Sequence, residues 1–295
     1  MTTADELASP PPVIDTALVR RLVDRQFPQW AALPLTPVDP GGSDHVIHRL
    51  GPDLAVRLPR RADVRGQADK ESAWLPRLAP HLPLAVPVPV AVGRPGLGYP
   101  FPWAVARWLD GRTATVEEVG GSTRGARQLA GFLRALQSAA PPVDRSGLSG
   151  ETLGERDAGT RRAIARFAHV FDAPAMTQLW EAALAAPPRA TGPVWFHGDF
   201  HTGNLLTVDG RISAVIDFGG LGFGDPAVDL MVAFTLLSPP ARAVFRTALG
   251  TDDATWLRGR GWALTTGLSA YAAYAGSSPA IAAQTARQIR AALAG

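Results

Sequence analysis

Length, composition and charge describe an ordinary globular chain. Its 295 residues are 46% apolar and 19% charged, with a formal net charge of +3, values typical of one large domain or two modest ones. Cysteine is absent, which excludes disulfides, thiolate metal sites and cysteine nucleophiles. The isoelectric point of about 9.9 reflects 28 arginines against one lysine, Lys70. No dense basic run accompanies it, so we expect no nucleic-acid partner.

The N-terminal region and the most apolar stretch exclude a membrane protein. Residues 1–12 are predicted to be disordered and contain no apolar run of the signal-peptide type. Residues 75–92 are apolar, but five prolines interrupt them, so they cannot form a membrane helix. The sequence therefore predicts a cytoplasmic protein that has no membrane partner. We also expect a monomer or a weak dimer.

The first third of the chain is predicted to be rich in strands. Asp15 is a candidate N-cap for a helix whose apolar residues recur at helical spacing. A second helix is expected over residues 67–78, and turn residues separate β-type apolar runs. Those strand predictions cover residues 45–50, 54–58, 86–92 and 103–108. The pair Asp110-Gly111 then marks a break.

Beyond this break the pattern becomes helical. A tight hairpin turn at Asp209-Gly210 interrupts the helices, and Asp225-Pro226 and Ser278-Pro279 each resemble an N-cap followed by proline at the first helical position. We predict an α+β protein with a small β-rich N-lobe over 13–109 and a larger helical C-lobe over 110–295.

One segment carries the polar residues that chemistry requires. It reads His-Gly-Asp-Phe-His-Thr-Gly-Asn over 197–204, followed by Val-Ile-Asp-Phe-Gly over 215–219. Because the Asp209-Gly210 turn makes the flanking strands antiparallel, Asn204 and Asp217 should lie nearly opposite each other. An amide oxygen beside a carboxylate suits Mg²⁺. Asp199 follows an apolar strand, where it could accept a proton from a substrate hydroxyl.

This segment resembles the catalytic and metal-binding loops of the aminoglycoside phosphotransferase family, which are relatives of protein kinases. The resemblance implies a bilobal protein-kinase-like fold, ATP and Mg²⁺ as cofactors, Asp199 as the catalytic base, and Asn204 and Asp217 as metal ligands. It also implies that Asp229 braces the catalytic loop through hydrogen bonds.

The two histidines of the segment have a competing interpretation. His197 and His201 could join Asp199 in a transition-metal cluster, because H-x-D-x-H places all three on one side of an extended chain. No other histidine or acidic cluster completes such a site, so we interpret both histidines as structural.

Three features of the first third of the chain bear on nucleotide binding. A candidate phosphate loop, Gly41-Gly42-Ser43, precedes the first long strand, and it resembles the serine-containing loop of the family. Arg57 stands where kinase-like enzymes have a lysine that contacts the α- and β-phosphates. Glu71 resembles the helix glutamate that pairs with this cation. The resemblance thus assigns Ser43, Arg57 and Glu71 to nucleotide binding.

The predicted function is transfer of the γ-phosphate of ATP to a hydroxyl of a small molecule, with an antibiotic such as an aminoglycoside or a macrolide as acceptor. Residues 258–295 contain no aspartate or glutamate, which argues against a conventional polycationic aminoglycoside. A kinase acting on a sugar or amino alcohol remains an alternative, as does a nucleotide-binding module without catalysis.

Overall fold

The computed structural model describes residues 13–39, 41–42 and 44–295, and the predicted disordered segment 1–12 lies outside them. The chain divides into two compact units. The first ends at Pro80 and resumes over Val86–Leu109, while the second comprises His81–Ala85 and Asp110–Gly295. No helix within the described ranges has both the length and the apolar character needed to cross a membrane.

The first unit contains an antiparallel sheet. Its described strands are β1 (Leu35–Pro37), β2 (His45–Leu50), β3 (Leu54–Pro59), β4 (Pro89–Gly93) and β5 (Trp103–Arg107). They pair in the order β1-β2-β3-β5-β4. Asp15 is the N-cap of helix α1 (Thr16–Gln26), and its carboxylate accepts a hydrogen bond from the backbone N–H of Leu18. Helix α2 (Gln67–Leu78) matches its predicted bounds.

One face of this sheet forms the core of the first unit. Alternate residues of β3, Leu54, Val56 and Leu58, pack with the apolar side of α1 and with Trp103. Their neighbours Ala55 and Arg57 belong to the opposite face, because side chains alternate along a strand. The strand alternation that the sequence predicted is therefore observed.

The predicted strand over 86–92 is shorter in the structure and begins at Pro89. The reason is that the chain before it pairs elsewhere. Ala85 forms a parallel bridge with Ala214 and hydrogen bonds with Ser213 and Val215. Residues 81–85 thus belong to the second unit, although the sequence analysis placed them in the N-lobe.

The second unit is mainly helical, with short strands that carry polar loops. Its described helices are α3 (Val116–Val119), α4 (Thr123–Ser138), α5 (Leu153–Arg166), α6 (Ala173–Ala185), α7 (Val232–Thr235), α8 (Pro239–Leu249), α9 (Asp253–Tyr274) and α10 (Pro279–Ala294). Its described strands are β6 (Arg112–Thr113), β7 (Val194–Phe196), β8 (Leu205–Val208), β9 (Arg211–Val215) and β10 (Gly222–Gly224).

The β8–β9 hairpin turns at Asp209 and Gly210, which have φ angles of 49° and 71°. Both angles lie in the left-handed region that two-residue hairpin turns favour. A register shift follows between Leu206 and Thr207. Because of this bulge, the backbone N–H of Ile216 donates to the carbonyl of Asn204 at 2.9 Å. The turn alone would pair Asn204 with Val215, whereas the bulge pairs it with Ile216. Asp217 is therefore one residue beyond the position opposite Asn204, close to the nearly opposite position that the sequence predicts.

Candidate active site

The loop over residues 197–204, called the catalytic loop, begins where β7 ends, and its first turn requires glycine. Gly198 has a φ of 86°. A Cβ at this position would lie 2.2 Å from the carbonyl oxygen of Gly220, so any other residue would force the backbone apart. This close approach holds Asp199 beside the segment that follows Asp217. Gly198 was not among the predicted site residues, although a glycine between two polar loop residues is a signal of such a turn.

A buried carboxylate fixes the backbone of this turn. Asp229, fully buried, accepts hydrogen bonds from the backbone N–H groups of His197 at 2.7 Å and Gly198 at 2.8 Å. These bonds are the brace that the resemblance implies. Burial raises the pKa of Asp229 to about 7, even though the two N–H donors oppose the shift.

His197 is a structural residue in this geometry. Its Nε2 donates to the carbonyl of Ile216 at 3.1 Å, and its Nδ1 accepts from the backbone N–H of Asp199 at 3.2 Å. Burial lowers the pKa of His197 to about 4. A neutral ring with both nitrogens engaged links the catalytic loop to the strand that leads to Asp217, and it leaves no nitrogen available as a base.

Asp199 and Asn204 lie at opposite ends of the loop and contact each other. The Nδ2 group of Asn204 donates to both the backbone oxygen and the Oδ2 of Asp199, each at 2.9 Å. This orientation leaves Oδ1 of Asn204 without a hydrogen bond from the part of the chain that the structure describes. The side chain of Asp199 is 48% exposed, so a substrate can reach it.

The charge of Asp199 is set by competing effects. Burial would raise its pKa, but the hydrogen bond and charge of His201 outweigh this, and the pKa lies below its ordinary value. The His201 ring is 3.4 Å from Oδ2 of Asp199. Burial would lower the pKa of His201, but the hydrogen bond to Asp199 and its charge raise it overall. Asp199 is therefore ionised at neutral pH.

Asp217 has a backbone that non-glycine residues seldom adopt. Its φ and ψ are 64° and 70°, a left-handed conformation that Asp and Asn tolerate better than most residues. Strain of this kind often occurs at functional sites. A carboxylate here and the Oδ1 of Asn204 provide the hard oxygen donors that Mg²⁺ prefers, so the residues fit the predicted metal.

The transition-metal interpretation gains no support. Over residues 13–39, 41–42 and 44–295, no group of three or more histidine, aspartate or glutamate side chains is arranged to hold a metal ion. His201 instead accepts a hydrogen bond at Nδ1 from the backbone N–H of Gly203 at 3.0 Å. This bond caps the 3-10 turn Thr202–Asn204.

The first unit contains the predicted cation pair. Nη1 of Arg57 lies 2.7 Å from Oε2 of Glu71, and the two side chains are 11% and 2% exposed. The pairing between the strand arginine and the helix glutamate is thus present. Ser43 of the predicted phosphate loop lies outside the described residues. Gly41 and Gly42 are described, and they precede β2 without regular secondary structure.

A second ion pair, which the sequence analysis missed, holds the segment after Asp217. Arg258 of α9 donates to both carboxylate oxygens of Asp225, at 2.6 Å and 3.2 Å. Asp225 also caps the 3-10 helix Pro226–Met231, which contains Asp229. The only sequence signal was the N-cap pattern of Asp225, because the partner lies 33 residues away.

Comparisons with known proteins agree with this geometry. The chain is 43% identical over 60 residues to an aminoglycoside 3'-phosphotransferase from Escherichia coli. That match covers 20% of this chain and 22% of the relative, so the chain aligns with about a fifth of the curated protein.

Two solved structures share the fold. The GDP complex of wild-type aminoglycoside 2'-phosphotransferase-IIIa is 18% identical with a TM-score of 0.73, over 95% of this chain and 99% of that one. The apoenzyme of a macrolide 2'-phosphotransferase from Brachybacterium faecium is 24% identical with a TM-score of 0.61, over 92% and 97%. The predicted kinase-like fold, with a small antiparallel sheet and a larger helical part, is confirmed.

The profile of the phosphotransferase enzyme family (APH) matches residues 34–262. This range contains the candidate phosphate loop Gly41-Gly42-Ser43 (the glycine loop), the Arg57–Glu71 pair, the catalytic loop and Asp217. It also covers more than half of the chain, so this chain belongs to the phosphotransferase enzyme family, as the resemblance of its loops predicted.

Proposed function

We propose that this protein is an ATP- and Mg²⁺-dependent O-phosphotransferase that acts on a hydroxyl of a small-molecule antibiotic of the aminoglycoside or macrolide kind. The observation that carries the proposal is the contact between Asp199 and Asn204 in a loop that Asp229 and His197 fix, beside the strained Asp217. Membership in the phosphotransferase enzyme family supports it.

Asp199 is the proposed catalytic base. Its pKa lies below the ordinary value, so the group is an ionised carboxylate at neutral pH and has an oxygen that can take the proton as the hydroxyl oxygen bonds to phosphorus. The acceptor hydroxyl donates its proton toward Asp199 while its oxygen forms a bond to the γ-phosphorus. The bond between that phosphorus and the β–γ bridging oxygen breaks, and ADP leaves with the electron pair.

Asn204 and Asp217 are the proposed ligands of Mg²⁺. A bound magnesium ion would neutralise the negative charge of the phosphate oxygens. The amide Nδ2 bonds to Asp199 turn Oδ1 of Asn204 away from the base. One side chain thereby orients the base and offers a metal ligand.

We assign nucleotide binding to the first unit, which comprises residues 13–80 and 86–109 of the described chain. Phosphoryl transfer is assigned to the second unit. Arg57 anchors the phosphates, and Glu71 fixes its guanidinium group at 2.7 Å. Arginine presents a planar fork of donors instead of a compact ammonium, so it can bind two phosphate oxygens at once. The GDP complex of a protein with the same fold supports nucleotide binding.

The acceptor is expected to be less cationic than a conventional aminoglycoside. No aspartate or glutamate follows Asp253, whereas four arginines lie in 258–295. A polycation gains most from a pocket that is lined with carboxylates. We therefore favour a macrolide or a similar hydroxylated natural product.

A screen of hydroxylated compounds tests this proposal. Purified protein is incubated with ATP, Mg²⁺ and macrolides, aminoglycosides, sugars or amino alcohols, and ADP release and product mass are measured. We expect at least one antibiotic to gain one phosphoryl group. Transfer only to a sugar or amino alcohol would make the protein a metabolite kinase, and nucleotide binding without transfer to any acceptor would make it a non-catalytic module.

A further inference from the structure

Arg60 lies at the glycine-loop end of the β2–β3 hairpin. In this hairpin His45 pairs with Pro59 and Ile47 pairs with Arg57. The pairing continues one step further, because the backbone N–H of Arg60 donates to the carbonyl of Asp44 at 2.8 Å. The hairpin register therefore places Arg60 where the glycine loop enters β2.

The guanidinium group of Arg60 extends back toward Gly41. A Cβ added at Gly41 would lie 3.6 Å from Nη2 of Arg60. The same Cβ, and one added at Gly42, would meet only ordinary van der Waals contacts, at 3.4 Å or more. Packing of the protein alone therefore does not require glycine at either position. Glycine also permits close approach of a ligand to the backbone, and a cation beside such a loop suits an anionic ligand.

The neighbouring arginines already have carboxylate partners. Arg57 pairs with Glu71, and Arg61 is 3.1 Å from both Asp44 and Asp63. Each of these pairings offsets positive charge that a polyphosphate would otherwise meet. Arg60, by contrast, is exposed, and its side chain makes no hydrogen bond or ion pair with any residue in the described ranges.

We propose that Arg60 is a second phosphate-binding residue of the nucleotide site, acting beside Gly41 and supplying net positive charge that the neutralised Arg57–Glu71 pair does not. This inference rests on the proposed function and extends it to a residue outside the kinase-like pattern. Arg61 supports the same site indirectly, because its ion pair with Asp44 offsets the negative charge of a residue that follows the glycine loop in the sequence.

Nucleotide affinity in Arg60→Gln and Arg65→Gln tests this inference. Arg65 is an exposed arginine of the same segment, so it controls for the loss of one positive charge. Binding of ATP and of adenosine is measured by calorimetry with Mg²⁺ present, and KM is measured for ATP and for the acceptor. Thermal unfolding confirms that each variant is folded.

We expect Arg60→Gln to weaken ATP binding and raise its KM about tenfold, the usual size for a charge-assisted hydrogen bond, while adenosine affinity and the acceptor KM stay unchanged. Arg60→Lys should recover part of the loss. Equal ATP affinity in Arg60→Gln and Arg65→Gln, in a protein that transfers phosphate, would overturn this inference alone. Failure of the unaltered protein to bind ATP would overturn the proposed function as well.

Discussion

The catalytic loop and the β2–β3 hairpin are built in opposite ways. In the catalytic loop, buried groups such as Asp229 and His197 fix the backbone. In the hairpin β2–β3, the residues next to the glycine loop are the exposed Arg60 and Arg61 and the half-buried Asp44, while the nearby ion pair of Arg57 with Glu71 is buried.

Because of this contrast, the two regions are expected to affect different kinetic constants. A loop whose backbone donors and acceptors are satisfied internally can hold a base and metal ligands in place before substrate binds, which is what catalysis requires. The exposed, charged end of the hairpin, at Arg60 and Arg61, is expected to contribute mainly electrostatic attraction to phosphates. Changes in the loop should therefore lower kcat, and changes in the hairpin should raise the KM for ATP.

Among changes outside the proposed base, the largest expected effect is that of Asp217→Asn. Asparagine tolerates the left-handed backbone of this position but removes the charge of the proposed magnesium ligand. Since metal charge contributes several kcal/mol, kcat should fall at least about 100-fold, and the Mg²⁺ concentration for half-maximal rate should rise. Asp209→Asn, in the hairpin turn, is the matched control and should keep full activity. Equal metal dependence in the two variants would remove Asp217 from the site.

Glu71→Gln tests the buried ion pair between α2 and β3. The change removes the charge of the carboxylate that lies 2.7 Å from the largely buried guanidinium of Arg57, and breaking a buried ion pair costs about 3–5 kcal/mol. We expect a lower free energy of unfolding in urea and a higher KM for ATP. Glu181→Gln is the control, because Glu181 is 59% exposed and its contact with Arg161 is 3.4 Å. Similar stabilities of the two variants would show that the pair contributes little.

Asp229→Asn tests whether the brace of the catalytic loop is needed. An amide offers one acceptor oxygen, so one of the N–H groups of His197 and Gly198 loses its partner, at a cost of about 1–3 kcal/mol. Asp172→Asn is the control, because asparagine caps a helix as well as aspartate. A stability equal to that of the control would contradict the brace.

The same carboxyl predicts a pH dependence. The pKa of Asp229 is about 7 in the folded protein and about 4 in an unfolded chain. Its protonation therefore favours the folded state below about pH 4, and this contribution is lost as the pH rises to 7. The stability difference between unaltered protein and Asp229→Asn should be larger at pH 5 than at pH 8. A difference that grows with pH would contradict the raised pKa.

The smallest effect is expected for Gly42→Ala. A Cβ there would be 3.5 Å from the nearest atom, Cδ1 of Ile47, so the free energy of unfolding should change by less than about 1 kcal/mol. If phosphates approach this backbone, ATP affinity should fall up to about tenfold. Unchanged affinity would show that the phosphates do not approach Gly42.

The sequence predicted the parts of the fold that depend on local pattern. The bounds of α2 and the β8–β9 turn follow from short-range periodicity and turn chemistry. The pairing of residues 81–85 with the second unit could not be predicted, because Ala85 and Ala214 are far apart in the chain. The bulge between Leu206 and Thr207 sets Ile216, not Val215, opposite Asn204, and nothing in the local pattern indicates it.

The same distinction between local sequence pattern and long-range packing applies to the candidate site. Asp199, Asn204 and Asp217 form one recognisable pattern, so their proximity could be predicted. The partnership of Asp225 with Arg258 depends on packing of α9, and the position of Arg60 depends on hairpin register together with side-chain direction. Each needed three-dimensional information, because exposed arginines are common in this chain and their spacing carries no signal.

The central claim is that Asp199 accepts the proton of the acceptor hydroxyl. Single-turnover phosphoryl transfer, compared between the unaltered protein and Asp199→Asn with ATP and acceptor saturating, tests it most directly. The amide keeps an acceptor oxygen for the neighbouring donors but cannot take the proton. We expect a rate lower by about 10²–10⁴-fold with unchanged ATP affinity, whereas a rate within a few-fold of the unaltered protein would contradict the account.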